Sequence, residues 1–198
     1  MKFVLTSLTL GLILTCSSAL AEWKLVPGKS HLSFVSIKKE HVAEAHTFKS
    51  LQGSVDDAGV GKVTVDLASV DTSIESRDKL LRDTLFEVKE FPTAVYTVGM
   101  DETTVASISA LPPGEQLTMV LEGELSLHGA KHPLSADVIV TKSGVDRLQV
   151  ASARPVFVEA EKFDLVQGIN KLAEIAGLSS ISYAVPVSFV LTFNVLTP

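Results

Sequence analysis

Residues 69–98 read SVDTSIESRDKLLRDTLFEVKEFPTAVYTV, and the change of rhythm inside this stretch decides the fold. It opens on the end of a strand at Ser69 and Val70. Residues 75–83 are charged, with Leu80-Leu81 inside them, and read as a short helix. Phe91-Pro92 ends that segment, because a residue before proline is driven out of the α region. From Thr93 onward Ala94, Tyr96, Val98 and Met100 alternate with polar or smaller residues. A pleated strand turns successive side chains to opposite faces, so this alternation predicts one face on a core and one in water.

The same rhythm recurs on both sides. In 118–127 the apolar set is Met119, Leu121, Leu125 and Leu127, and 62–67 and 134–140 repeat it more briefly. Near the C-terminus Tyr183, Val185, Val187, Phe189, Leu191, Phe193 and Val195 alternate with residues that include Ser188, Thr192 and Asn194. Half-buried strands joined by short turns are the habit of antiparallel sheets, which gives a sandwich or a barrel. Pro186 falls within the last pattern and cannot donate to a ladder, so an edge, a bulge or a strand start is expected there. A second helix is predicted at 169–176, where Ile169, Leu172, Ala173 and Ala176 have helical spacing between Gly168 and Gly177.

The ends and the composition narrow the class. Lys2, an apolar run over 3–14 and Ala19-Leu20-Ala21 have the order of a cleavable export signal. Cleavage is expected after Ala21, with delivery to a bacterial periplasm. The run is too short for a bilayer, which needs about 20 residues, so no stable membrane insertion is expected. Residues 22–198 then form one domain. Cys16, the sole cysteine, lies in the leader, and its lipidation stays open. The mature chain has no disulfide to lean on and must hold itself together by its core. The 23 acidic residues outnumber the 17 basic ones, for a net charge of −6, which argues against nucleic acid as a partner.

Catalytic chemistry has little footing. There is no G-x-S-x-G elbow and no mature thiol. In 40–46, EHVAEAH, Glu44 and His46 share a strand face while His41 points the other way. That is short of the three or four convergent ligands of a zinc site, so a solvated edge or barrel rim is expected and no metal or other cofactor is. His128 and His132 flank a Gly129 turn, and His31 sits at a strand entry. Arg77 and Asp78 read as an ion-paired helix closing one end of the fold, with a polar ring at a cavity mouth as the alternative.

These residues also carry a resemblance. The run Ser69-Val70-Asp71-Thr72, then Arg77-Asp78, Leu80-Leu81, Phe86 and Phe91-Pro92, resembles the most recognisable segment of the YceI-like family of lipid- and polyisoprenoid-binding proteins. Gly123, Leu125, Leu127, Gly129 and Pro133 match that family's G-x-L-x-L-x-G-x-x-x-P hairpin, in order and at the expected separation. The resemblance implies a mainly all-β fold, an eight-stranded antiparallel lipocalin-like β-barrel with one or two short helices. It also implies an apolar ligand, a lipid or polyisoprenoid, held without catalysis. A barrel of this size either fills its interior with side chains or holds one small ligand, and periodicity does not choose between them. A packed barrel serving as an envelope stress or interaction module is the alternative. For a hollow one, Phe34, Phe48, Leu67, Leu80, Leu81, Phe86, Phe91, Tyr96 and Phe189 are the candidate ligand-binding residues. Oligomeric state is left open, a homodimer included.

The chain departs from the family at Lys38-Lys39-Glu40, where the family has a His-Gly pair followed by bulky residues. Here Val42, Ala43 and Ala45 follow, and these small side chains are expected to border the cavity mouth. A helical insert at 167–178, after Lys162-Phe163-Asp164-Leu165, is expected to lid the barrel.

Overall fold

The period-two ranks become strands that curl into one closed wall. The structure, a computed structural model, describes residues 22–196; the leader assigned to 1–21 and Cys16 lie outside them. The extended segments are β1 (Trp23–Leu25), β2 (His31–Lys38), β3 (Val42–Phe48), β4 (Leu51–Val55), β5 (Val60–Asp66) and β6 (Val70–Asp71). They continue as β7 (Thr93–Gly99), β8 (Gln116–Leu127), β9 (Ala130–Gly144), β10 (Arg147–Ser152), β11 (Val156–Glu159) and β12 (Ala184–Val195). Three helices stand between them: α1 (Glu75–Leu80), α2 (Glu102–Ser109) and α3 (Val166–Ile175). None of the described helices is long and apolar enough to cross a membrane.

Every pairing is antiparallel. β1 and β2 make one interrupted stave, because each pairs with β12 on one side and with β4 or β3 on the other. β3 with β4, β5 with β6, and β10 with β11, are interrupted staves of the same kind. Counted this way the wall has eight staves and closes as a meander in which chain neighbours are spatial neighbours. The barrel is therefore the one expected, with three helices where one or two were expected.

Local chemistry explains the interruptions. Pro27 opens a 3-10 turn that breaks the first stave. Ser30 then donates through Oγ to the Val26 carbonyl (2.9 Å) and accepts from the Thr192 amide (3.0 Å), so a side chain replaces the missing ladder bond. β8 and β9 meet through His128 (φ 50°) and Gly129 (φ 79°), two left-handed residues as a type I′ hairpin requires. Pro186 sits near the start of β12 and faces β11 at Phe157, while the ladder to β2 begins one residue later at Val187 and Phe34. It meets the strand-start expectation.

The two barrel ends are closed unequally. At one end α1 runs on into a π-helical turn, Leu81–Leu85, and α3 lies across it. Their contact is close at Gly168, where a Cβ would stand 2.9 Å from the Thr84 carbonyl oxygen. Asp78 pins the entry to α1 by accepting from the Thr72 amide (2.8 Å) and hydroxyl (2.5 Å). Gly168 lies inside α3 rather than marking its start. At the other end only α2, capped by Asp101 on the Thr104 amide (2.7 Å), stands over the opening, and none of its residues is buried.

Candidate functional site

The apolar ranks converge on empty space. A cavity of about 950 Å³ runs along the barrel axis, in the upper part of the range of roughly 300–1,000 Å³ typical of ligand sites. Phe34 projects from β2, Val63 from β5, Tyr96 from β7, Leu134 from β9, Val150 from β10 and Phe189 from β12, and all six line it. Each points inward yet is only half-buried, as happens when a wall residue faces a void rather than another side chain. The α1 segment and the π-helical turn add Leu80, Leu81 and Phe86 from the closed end, and α3 adds Ile169.

Of the nine candidate residues, eight line this cavity: Phe34, Phe48, Leu67, Leu80, Leu81, Phe86, Tyr96 and Phe189. Phe34 and Phe48 stand 5.3 Å apart between ring centroids, and Phe48 and Phe86 5.8 Å, so wall and lid meet through aromatic contact. Phe91 is elsewhere. It precedes β7 outside the pleat, and its ring packs against His128 (4.4 Å) beneath the Gly129 turn. Ala43 and Ala45 are also misplaced by the sequence reading. Both are exposed on the outer face of β3, because Glu44, His46 and Phe48 take the inward phase.

That inward phase carries a polar group the alternation hinted at only through Glu44 and His46. His46 is 6% exposed, so the expectation of a solvated rim fails for it. Its Nε2 is 2.8 Å from Ser36 Oγ. Glu44 accepts from Lys38 (2.7 Å) and from Arg77 (2.6 Å), and Arg77 also donates to the Thr72 carbonyl (2.7 Å). Hydrogen bonding from Lys38 foremost, and from Arg77, holds the Glu44 carboxyl below its ordinary range. Burial foremost, with the Arg77 charge, pushes the His46 imidazole below its ordinary value and favours the neutral ring. The Ser36–His46 contact resembles the first two members of a nucleophilic triad. Its Nδ1 has no partner among the described residues, and without a group to orient the imidazole the pair lacks the third member such chemistry relies on.

Among the described residues no three His, Cys, Asp or Glu side chains converge as a metal site. The opposite end carries Trp23 and Lys142, both cavity-lining. Lys142 was missed by the alternation reading, which stopped at Val140 although Lys142 continues the same rank.

The model of the YceI-like domain matches residues 23–193. The chain belongs to the YceI-like family. Protein YceI of Salmonella newport is 30% identical over 154 residues, 73% of each chain. A solved structure, the polyisoprenoid binding domain from Saccharophagus degradans implicated in plant cell wall breakdown, superposes with a TM-score of 0.84 at 34% identity. The match covers 88% of this chain and 98% of that one. BcnA of Burkholderia cenocepacia shares the fold, with a TM-score of 0.63 at 21% identity over 85% of this chain and 98% of its own.

Proposed function

We propose that this YceI-like barrel is an exported binding protein that holds a long-chain apolar ligand, an isoprenoid or other lipid, non-covalently in its cavity and does no chemistry on it. The observation that carries this reading is the set of half-buried inward side chains around about 950 Å³ of apolar-walled space. The polyisoprenoid-binding neighbour supports the same ligand class. The leader-like residues 1–21 support a periplasmic location, and the acidic balance supports a partner other than nucleic acid. The hollow interior favours a carrier over a packed interaction module.

Chain length is the natural handle. Each buried CH₂ contributes about 0.8 kcal/mol, close to a fourfold gain in affinity. Affinity should climb by that step with each methylene and level off once the cavity is full. The deciding experiment is native mass spectrometry of protein taken from the cell envelope, with organic extraction of whatever accompanies it. A discrete bound lipid mass is expected. An apo mass, with no uptake of long-chain lipids offered in excess, overturns the reading. Val63→Trp and Leu81→Trp, filling the waist and the helical end, should each lower loading while the β-sheet circular dichroism stays unchanged.

A further inference from the structure

One charged side chain inside the barrel stands apart from the ion pairs. β9 sends Ala136, Val138, Val140 and Lys142 inward in strict alternation, all of them buried. Lys142 therefore stands in an apolar rank at the end of the cavity beneath α2. It is 8% exposed, and its ammonium lies 4.8 Å from the centre of the Trp23 ring, a cation–π arrangement. Among the described residues no carboxylate comes within 4.0 Å of it. The cations at the opposite end, Lys38 and Arg77, are both committed to Glu44. Asp56 and Asp146 rim the Lys142 end, but both are exposed, where water and salt weaken their effect. The Lys142 side chain is buried along its apolar stem and lines the cavity, and its ammonium has three donors and no acceptor. What completes this position is an anionic oxygen group.

We propose that the cavity is polarised: Lys142 and Trp23 form a head-group site for a single-chain amphiphile bearing an anionic oxygen head, a carboxylate or a phosphate monoester. The tail runs down the barrel toward Phe48, Phe86 and Ile169. This rests on the lipid-binding reading above and adds the head chemistry and the direction of the chain. The walls on the way are aliphatic or aromatic, so the tail needs no specific contact. The head determines which end enters last.

The test uses hexadecanoate, hexadecyl phosphate and hexadecanol against the intact mature protein. At least one anion should bind about tenfold or more tighter than the alcohol, the scale of one hydrogen bond to a charged group. The tighter of the two anions assigns the head. In Lys142→Met, whose side chain keeps the apolar stem, the preference should collapse to within about twofold, with circular dichroism and the thermal midpoint as the controls for folding. Orientation is read without any variant, because Trp23 is the only tryptophan. Hexadecanoate brominated beside the carboxyl should quench its fluorescence strongly, and hexadecanoate brominated at the far terminus weakly. Alcohol bound as tightly as both anions, or the reverse order of quenching, overturns the head-group site and leaves the lipid-binding barrel standing. Failure of all three probes to bind overturns both.

Discussion

Tyr96 and Gly123 occupy one space inside the barrel. They lie on neighbouring strands, β7 and β8, and a Cβ at Gly123 would overlap the Tyr96 phenol and press on the Thr97 carbonyl. The phenol uses the room to reach across β8. Its hydroxyl donates to the Leu134 carbonyl (3.0 Å) and shares the Leu121 carbonyl (3.2 Å). Gly123→Ala should therefore cost about 1–3 kcal/mol, as overpacking does, with chemical denaturation as the measurement. A loss under about 0.5 kcal/mol, the scale of an ordinary surface change, would show that the ring moves aside freely.

The same burial governs the phenol's acidity. Desolvation pushes Tyr96 from 10.0 up to about 12. A group that holds its proton more tightly when folded contributes stability that is present below pH 10 and is lost as pH rises toward about 12. Absorbance titration of the native protein should show a tyrosine ionising near pH 12, and Tyr96→Phe should remove that step. A titration unchanged by the substitution contradicts the burial argument.

His46 works at the acid end. Its imidazole is held below the ordinary histidine value of 6.5, by burial foremost and by the Arg77 charge. The folded protein thus binds the proton less readily than the unfolded chain, and the stability this gives is present above pH 6.5 and is lost as pH falls below it. Thermal midpoints measured across this range should drop more steeply for the natural protein than for His46→Gln, which keeps a hydrogen-bonding atom near Ser36. Parallel curves would place the pH dependence elsewhere.

How much of this was legible in the chain follows from which residues obey the pleat. The ranks Ala94-Tyr96-Val98-Met100 and Val185 through Val195 read straight into the wall, because a barrel facing water on one side imposes a period of two. Phe91 did not: apolarity says that a ring seeks cover, and the hairpin at His128 and Gly129 supplies cover outside the cavity as well as any position within it. Lys142 and His46 were hidden for the opposite reason. Both keep the inward phase, but a polar residue in an apolar rank looks like the rank's end until register shows otherwise. The helix α2 left almost no periodic trace. Its stripe amounts to Val105 and Ile108, with β-branched and hydroxyl residues around them, and only Asp101 marks its start. The Gly168 approach was beyond reach, since it depends on where α3 crosses the π-helical turn.

That contrast between helices sets the route by which a ligand enters. α3 buries Ile169 and Ala173 and lies closely against the Thr84–Leu85 backbone at Gly168, so moving it exposes apolar surface. α2 has no fully buried residue and touches the cavity only through Val105, Ile108 and Ser109. Segments with little buried apolar contact open at the low end of the free-energy range, so the barrel should open beneath α2 while the α1–α3 end stays shut. Native-state hydrogen exchange is the direct measurement. Amides of α2 should exchange at least about tenfold faster than those of α3, a difference of about 1.4 kcal/mol in opening free energy, and loading with a long-chain lipid should slow α2 more than α3. Equal protection in the two helices, or slowing confined to α3, would move the portal to the other end. Gly168→Ala separates the cases further: it should loosen α3 against the π-helical turn and speed exchange there, while leaving the rate of lipid uptake through the α2 end unchanged.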